Sequence, residues 1–152
     1  MSAVATQTDQ VHAVFIRATP EQVWEAITNP EFTTRYFYGS VVDSTFEVGA
    51  PYRGLTGDRS QQLVEGEILE SDPPRLLRHT WRTLWDEAAS SEPASRVSWE
   101  IEGQEDGTTK LTVVHDQLEA SPLTAASVSG GWAYVLSGLK TLLETGEPLV
   151  SR

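Results

Sequence analysis

The stretch Gly130–Thr145, GGWAYVLSGLKTLLET, decides how the rest of the chain must be read. Trp132, Val135, Leu136, Leu139, Leu142 and Leu143 recur at helical spacing and fall within one stripe about 120° wide, the pattern of a helix lying on a sheet. Ser129 is placed to cap its start, Gly146 to supply a left-handed exit and Pro148 to block continuation. Burying those side chains contributes roughly 9–18 kcal/mol before ordering costs, as an upper bound. A helix this short is marginal by itself in water. The stripe therefore needs a cover, and the remaining sequence reads as a sheet able to supply it.

Working outward, the segment 41–116 carries the punctuation of an antiparallel meander. Strands are predicted over Thr45–Val48, Tyr52–Leu55, Leu63–Glu70, Arg75–Trp85, Arg96–Glu102 and Thr108–His115. Glycine, proline and acidic turns separate them, Ser71-Asp72-Pro73-Pro74 being the strongest. Upstream, Val11–Ala18 (VHAVFIRA) is a further strand whose buried face the pattern leaves open. Thr19-Pro20-Glu21-Gln22 then switches the chain to helix, with Thr19 as cap, Pro20 in the first turn and Gln22 completing a capping box. Asn29-Pro30 ends that helix and starts a short second one, to about Tyr36, followed by the aromatic run Tyr36-Phe37-Tyr38-Gly39. Gln117–Val128 reads as a linker in which Ser121-Pro122 opens a helical turn. The expected fold is α+β: a curved antiparallel sheet of six to seven strands wrapped on the C-terminal helix, with two short helices after the first strand. Residues 1–10 are expected to be a frayed tail, 11–147 one domain, and 148–152 a second tail.

Composition narrows the function. The 152 residues carry 22 acidic and 11 basic side chains, a net charge of −11, which disfavours nucleic acid and anionic lipid as partners. There is no cysteine, hence no disulfide, thiolate nucleophile or cysteine metal site. No apolar run has the length of a membrane span and no secretory signal opens the sequence, so a cytoplasmic protein is the default. Eleven acidic and four basic residues lie between 65 and 106, a surface open to a basic protein partner or to solvent alone.

Alternation assigns side chains to the faces of the sheet. Leu77, His79, Trp81, Thr83 and Trp85 share the better core face of the long strand, since Arg78 and Arg82 take the other. Val97, Trp99 and Ile101 on the next strand, and Leu111, Val113 and His115 on the last, complete the surface opposite the helix. Glu65 and Glu67 alternate onto one face and Glu70 onto the other. The concave face so gathers three tryptophans and two histidines among aliphatics, a composition suited to an apolar pocket with a few orienting polar groups. The candidate ligand-binding set is His79, Trp81, Trp85, Trp99, Val113, His115, Trp132, Leu136 and Leu139. No metal-ligand spacing, dinucleotide fingerprint, phosphate loop or nucleophile elbow is present, so no catalytic residue, metal or cofactor is assigned.

The opening Ile16-Arg17-Ala18-Thr19-Pro20-Glu21-Gln22-Val23-Trp24-Glu25-Ala26-Ile27-Thr28-Asn29-Pro30-Glu31 resembles that of the SRPBCC (START/polyketide cyclase/pollen-allergen-like) superfamily. Gly66–Arg75 with Thr80-Trp81 is similar to its central hairpin. Gly131-Trp132, Val135-Leu136, Leu139-Lys140 and Leu143–Gly146 resemble the terminal helix of the branch named after activators of the heat-shock protein 90 ATPase. The resemblance implies the helix-grip fold over residues 11–147. It also implies a choice of functions: a carrier, sensor or stress-response protein for a lipid, polyketide or similar ligand; a co-chaperone; or a cyclase or hydrolase using a histidine in the same cavity. Co-chaperones of that branch carry a further N-terminal domain, which this sequence does not include. Oligomeric state is left open.

Overall fold

A computed structural model describes residues 9–150. Of the tails expected at 1–10 and 148–152, residues 1–8 and 151–152 lie outside the described residues, while Gln10 already belongs to the first strand. Strand β1 (Gln10–Ile16) is followed by α1 (Pro20–Thr28) and α2 (Pro30–Tyr36). Six strands come next: β2 (Val41–Asp43), β3 (Pro51–Leu55), β4 (Gln62–Asp72), β5 (Leu76–Thr83), β6 (Ser95–Gly103) and β7 (Thr109–Asp116). The short α3 (Glu87–Ser90) interrupts them between β5 and β6. Helix α4 (Pro122–Val128) leads into the long α5 (Gly131–Thr145). All seven strands form one antiparallel sheet in the order β1-β7-β6-β5-β4-β3-β2, so the first strand closes beside the last. This is the expected helix-grip arrangement of sheet and terminal helix.

Local chemistry accounts for the helix starts. The Gln22 amide donates to the Thr19 hydroxyl (3.1 Å) and the Thr19 amide to the Gln22 side-chain oxygen (2.8 Å), completing the capping box. Asn29 caps α2 by accepting from the Glu31 amide (2.9 Å). Helix α5 departs from expectation: Gly130, at φ +80°, is its N-cap and no side chain caps it, Ser129 included. Glycine takes the left-handed geometry that a sharp entry from α4 requires. Gly146, at φ +80°, ends the helix as expected. Trp132, Val135, Leu136, Leu139 and Leu142 are buried, with Leu143 partly so. The last turns are tied to β1 by Lys140, whose ammonium donates to the Phe15 carbonyl (2.6 Å) and to Glu144 (2.7 Å), and by the Arg17 amide donating to Glu144 (2.8 Å).

Two strand readings need correction, and one left open is settled. Thr45–Val48 is not a strand: Phe46 adopts φ +61° and the chain turns at Glu47–Ala50, so the pairing edge is Val41–Asp43 instead. The face of β1 left open by the sequence is settled with Val11 and Phe15 outward and Ile16 fully buried. A register shift between Ile68 and Glu70 turns Glu70 outward opposite Arg78, onto the same face as Glu65 and Glu67. A bulge resets the alternation, which strict counting cannot foresee. Gly66 is required at the β4–β5 crossing, where an added Cβ would lie 2.0 Å from the Thr80 carbonyl oxygen.

The outer face of the sheet is a ladder of ion pairs: Arg75–Asp72, Arg78–Glu70, Arg82–Glu65 and Arg96–Asp116. The arginines of the acidic segment are thus matched to neighbouring carboxylates. Exposed pairs of this kind are each worth about 0–1 kcal/mol. Their clearer effect is to keep that face hydrated while the opposite face is buried.

Candidate ligand-binding cavity

Beneath the sheet the core divides into a filled part and a hollow part. The filled part lies where β5, β6 and β7 meet the body of α5. Leu77, Val97, Leu111, Val113 and Leu139 are fully buried there, with Leu136 beside them. Two indole–imidazole pairs bridge it. The Trp99 indole N–H donates to His79 Nε2 (3.1 Å), while His79 Nδ1 sits 2.9 Å from the Thr80 carbonyl and donates to it. The Trp132 indole N–H donates to His115 Nδ1 (3.1 Å). With Nδ1 accepting, the neutral ring carries its proton on Nε2 and donates to the Ser95 hydroxyl (2.6 Å), which donates in turn to the Trp81 carbonyl (3.2 Å).

Both imidazoles are therefore closed into hydrogen-bond chains away from solvent. Burial pushes His79 down to about 4, the bond to the Thr80 backbone opposing this. Burial, and then the neighbouring His79, push His115 down to about 3, with Asp116 opposing. Both rings are neutral near pH 7 and hold the tryptophans in place.

The hollow part is a cavity of about 410 Å³ between the β2–β3–β4 side of the sheet, the exit of α2, α4 and the first turns of α5. A volume of this size suits a drug-sized guest. The α2 exit contributes Phe37, Tyr38 and Ser40; the strands contribute Val42, Tyr52, Gly54, Leu63, Val64 and Trp81; Trp85 stands at the mouth; Ser127, Val128, Gly131, Trp132 and Val135 form the helical wall. None of these side chains is ionisable at neutral pH. Trp81 and Trp132, in edge contact at 5.5 Å, are the partition between hollow and filled parts. Two lining glycines allow close approach within the wall: a Cβ at Gly54 would sit 3.2 Å from Val64 Cβ, and one at Gly131 would sit 3.4 Å from the Tyr38 hydroxyl. Tyr38, stacked on Tyr134 at 5.2 Å, and Trp85 are each about half exposed (51% and 48%) and form an aromatic rim.

The wall at α4 is held from outside. Glu92, in the loop before β6, accepts from the Leu123 and Thr124 amides (2.8 Å each), and the Ser121 hydroxyl donates to the Pro93 carbonyl (2.7 Å). Burial raises the Glu92 carboxyl, but these amide bonds outweigh it and hold the group below the usual range. Part of the acidic loop is thereby a remote helix cap.

Residues 17–144 match the model of the family described as activator of Hsp90 ATPase homolog 1-like protein. The chain belongs to that family. No curated protein matches it. Among solved structures it is similar to CalU16 from Micromonospora echinospora, at 24% identity and TM-score 0.72 over 92% of this chain and 76% of that one. It is also similar to DynU16, a protein of the dynemicin biosynthetic locus, at 25% identity and TM-score 0.76 over 94% of this chain and 49% of that one. The Aha1 dimer from Colwellia psychrerythraea matches at 18% identity and TM-score 0.69 over 91% of this chain and 97% of that one.

Within this member of the activator-homologue family, the sequence-derived set splits. Trp81, Trp85 and Trp132 line the cavity. Trp85 does so from beyond the end of β5, so it is a rim residue and not part of a strand face. His79, Trp99, Val113, His115, Leu136 and Leu139 do not line it; they fill the solid part of the core. Alternation placed the four strand residues on the inner face and helical spacing placed Leu136 and Leu139 on the buried stripe, but neither could say which stretch of the face the helix covers. The other lining residues, from the α2 exit, β2–β4, α4 and the start of α5, were missed, Tyr52, Val64 and Val135 among them. The inward alternation of Tyr52 and Gly54 and the aromatic run Tyr36-Phe37-Tyr38 were the available signals. Among the described residues no cluster of three or more His, Asp or Glu could hold a metal ion. No described helix is long and apolar enough to cross a membrane.

Proposed function

We propose that this protein binds a small hydrophobic or aromatic molecule in the cavity between the sheet and the start of α5, as a carrier or sensor. The observation that carries this reading is an open space of about 410 Å³ walled by Trp81, Trp132, Phe37 and Val135 and free of charged side chains. Apolar surface around such a space gains most when a guest replaces water in it. The likeness to CalU16 and DynU16 supports the same fold for the binding domain. The histidine-dependent cyclase or hydrolase loses its support, because each imidazole is engaged on both nitrogens and sealed from the cavity.

Native mass spectrometry of protein from its own host, with and without organic extraction, tests the reading. A small adduct on the untreated protein is expected. Val128→Trp, which fills the α4 wall, is expected to abolish it while leaving the fold intact. No adduct, together with no uptake of added aromatic compounds, would discard the carrier reading.

The family name and the net charge of −11 favour a second reading, stimulation of a chaperone ATPase through the acidic surface. Chaperone turnover unchanged by added protein at low salt would dismiss it.

A further inference from the structure

Helix α4 differs from the other walls of the cavity in how it is held. It has seven residues, too few for a helix to be stable in water by itself. Its own N-cap residue gives it no side-chain cap, because the Ser121 hydroxyl donates to the Pro93 carbonyl instead. The first turn is capped from another segment: Glu92 Oε2 accepts from the Leu123 amide and Oε1 from the Thr124 amide. From β1 the Gln10 side-chain amide donates to the Ala125 carbonyl (2.9 Å), while the Gln10 side-chain oxygen is buried without a hydrogen-bond partner among the described residues. The tie from β1 therefore leaves a buried acceptor unsatisfied, and the Glu92 cap is the better-made attachment.

The chain on either side lets this helix turn as a unit. Leu118 is fully buried and anchors the connection from β7; Glu119 and Ala120 are exposed; α4 follows, and Gly130 at φ +80° joins it to α5. Ser127 is exposed and yet lines the cavity, so the last turn of α4 borders the mouth together with Tyr38 and Trp85. Glu92 is not among the lining residues and reaches a guest through α4 alone. Resting on the ligand-binding reading above, we propose that α4 is the movable side of the mouth, that a guest enters and leaves as α4 swings outward about Gly130, and that Glu92 sets the rate of this exchange as a positioning residue for α4. Loss of the cap raises the population of the outward state. Entry and exit then quicken by the same factor, while the inward state that holds the guest keeps its affinity.

Stopped-flow fluorescence with the uncharged probe N-phenyl-1-naphthylamine separates a movable wall from a merely structural one. Glu92→Ala is expected to raise the association and dissociation rates together by roughly 3- to 10-fold, the range for losing a helix cap, with the dissociation constant unchanged. Glu92→Gln, which keeps one acceptor, should give a smaller rise in both. Gly130→Ala tests the pivot independently of Glu92. Nothing lies within 4 Å of the added methyl, so the substitution acts through the left-handed φ alone, strains the inward arrangement and should also quicken both rates. Glu105→Gln, an exposed carboxylate in the β6–β7 turn, should change neither. Rates unaltered by Glu92→Ala and Gly130→Ala would mean that the guest passes a fixed rim. Faster release with unchanged association, the affinity falling in step, would make Glu92 a support of the wall. Either result overturns the proposal. Failure of the intact protein to take up this probe or any other aromatic compound would instead remove the ligand-binding reading on which it rests.

Discussion

The two parts of the core beneath one sheet differ in a way that separates stability from function. The filled part, under β5–β7, is closed by Trp99–His79 and Trp132–His115, each donor matched to an acceptor and each ring wedged among aliphatics. The hollow part, under β2–β4, is built from the same residue classes, with the small residues Gly54, Gly131 and Ser40 in its lining. Trp81 and Trp132 serve both: each donates its indole N–H to a fixed internal partner and turns carbon surface toward the cavity. Small residues opposite a rigid aromatic partition leave a chamber that the rest of the core is too well packed to collapse into.

The largest expected contrast is between two tryptophans. Trp99→Ala removes a fully buried ring and leaves His79 Nε2 without its donor; roughly 3–5 kcal/mol of stability should be lost in denaturant titration. Trp85→Ala, at the half-exposed rim, should cost under about 1 kcal/mol while weakening aromatic uptake. Equal losses for the two would erase the distinction between filled and hollow parts.

Acid should attack the filled part first. Both histidines titrate lower in the folded protein than in the unfolded chain, so the unfolded chain takes up more protons as pH falls. The stability they confer is complete above about pH 6.5 and declines toward the folded values of about 4 and 3. The slope is about 1.4 kcal/mol per ring per pH unit, so the pair should withdraw roughly 5 kcal/mol by pH 4.5, a large share of a typical fold's stability. Urea midpoints measured from pH 7 to 4.5 should fall steadily. His79→Gln and His115→Gln, which keep an acceptor for the indole, should each flatten about half of the slope. A flat profile in the unaltered protein would mean that the rings are not sealed.

The smallest effect expected is at the outer support of the hollow part. Glu92→Gln weakens the remote cap on α4, and amide exchange at Leu123 and Thr124 should quicken while the β5–β7 amides stay protected. Faster exchange across the whole sheet would tie the cavity wall to global unfolding instead.

How much of this was legible in the chain follows from what periodicity can and cannot encode. The stripe from Trp132 to Leu143, the Thr19–Gln22 capping box, the alternation of Leu77, His79, Trp81 and Thr83, and the acidic balance are local or compositional. The helix and its covering sheet could therefore be read directly from the sequence. Where the β4 bulge falls, which glycine caps α5, and that Glu92 reaches α4 across about thirty residues depend on contacts between distant segments, which no window of sequence contains. The same holds for the division of the inner face. Tyr52 and His79 alternate inward alike and stack on each other, but only tertiary packing made one a wall of the cavity and sealed the other behind it.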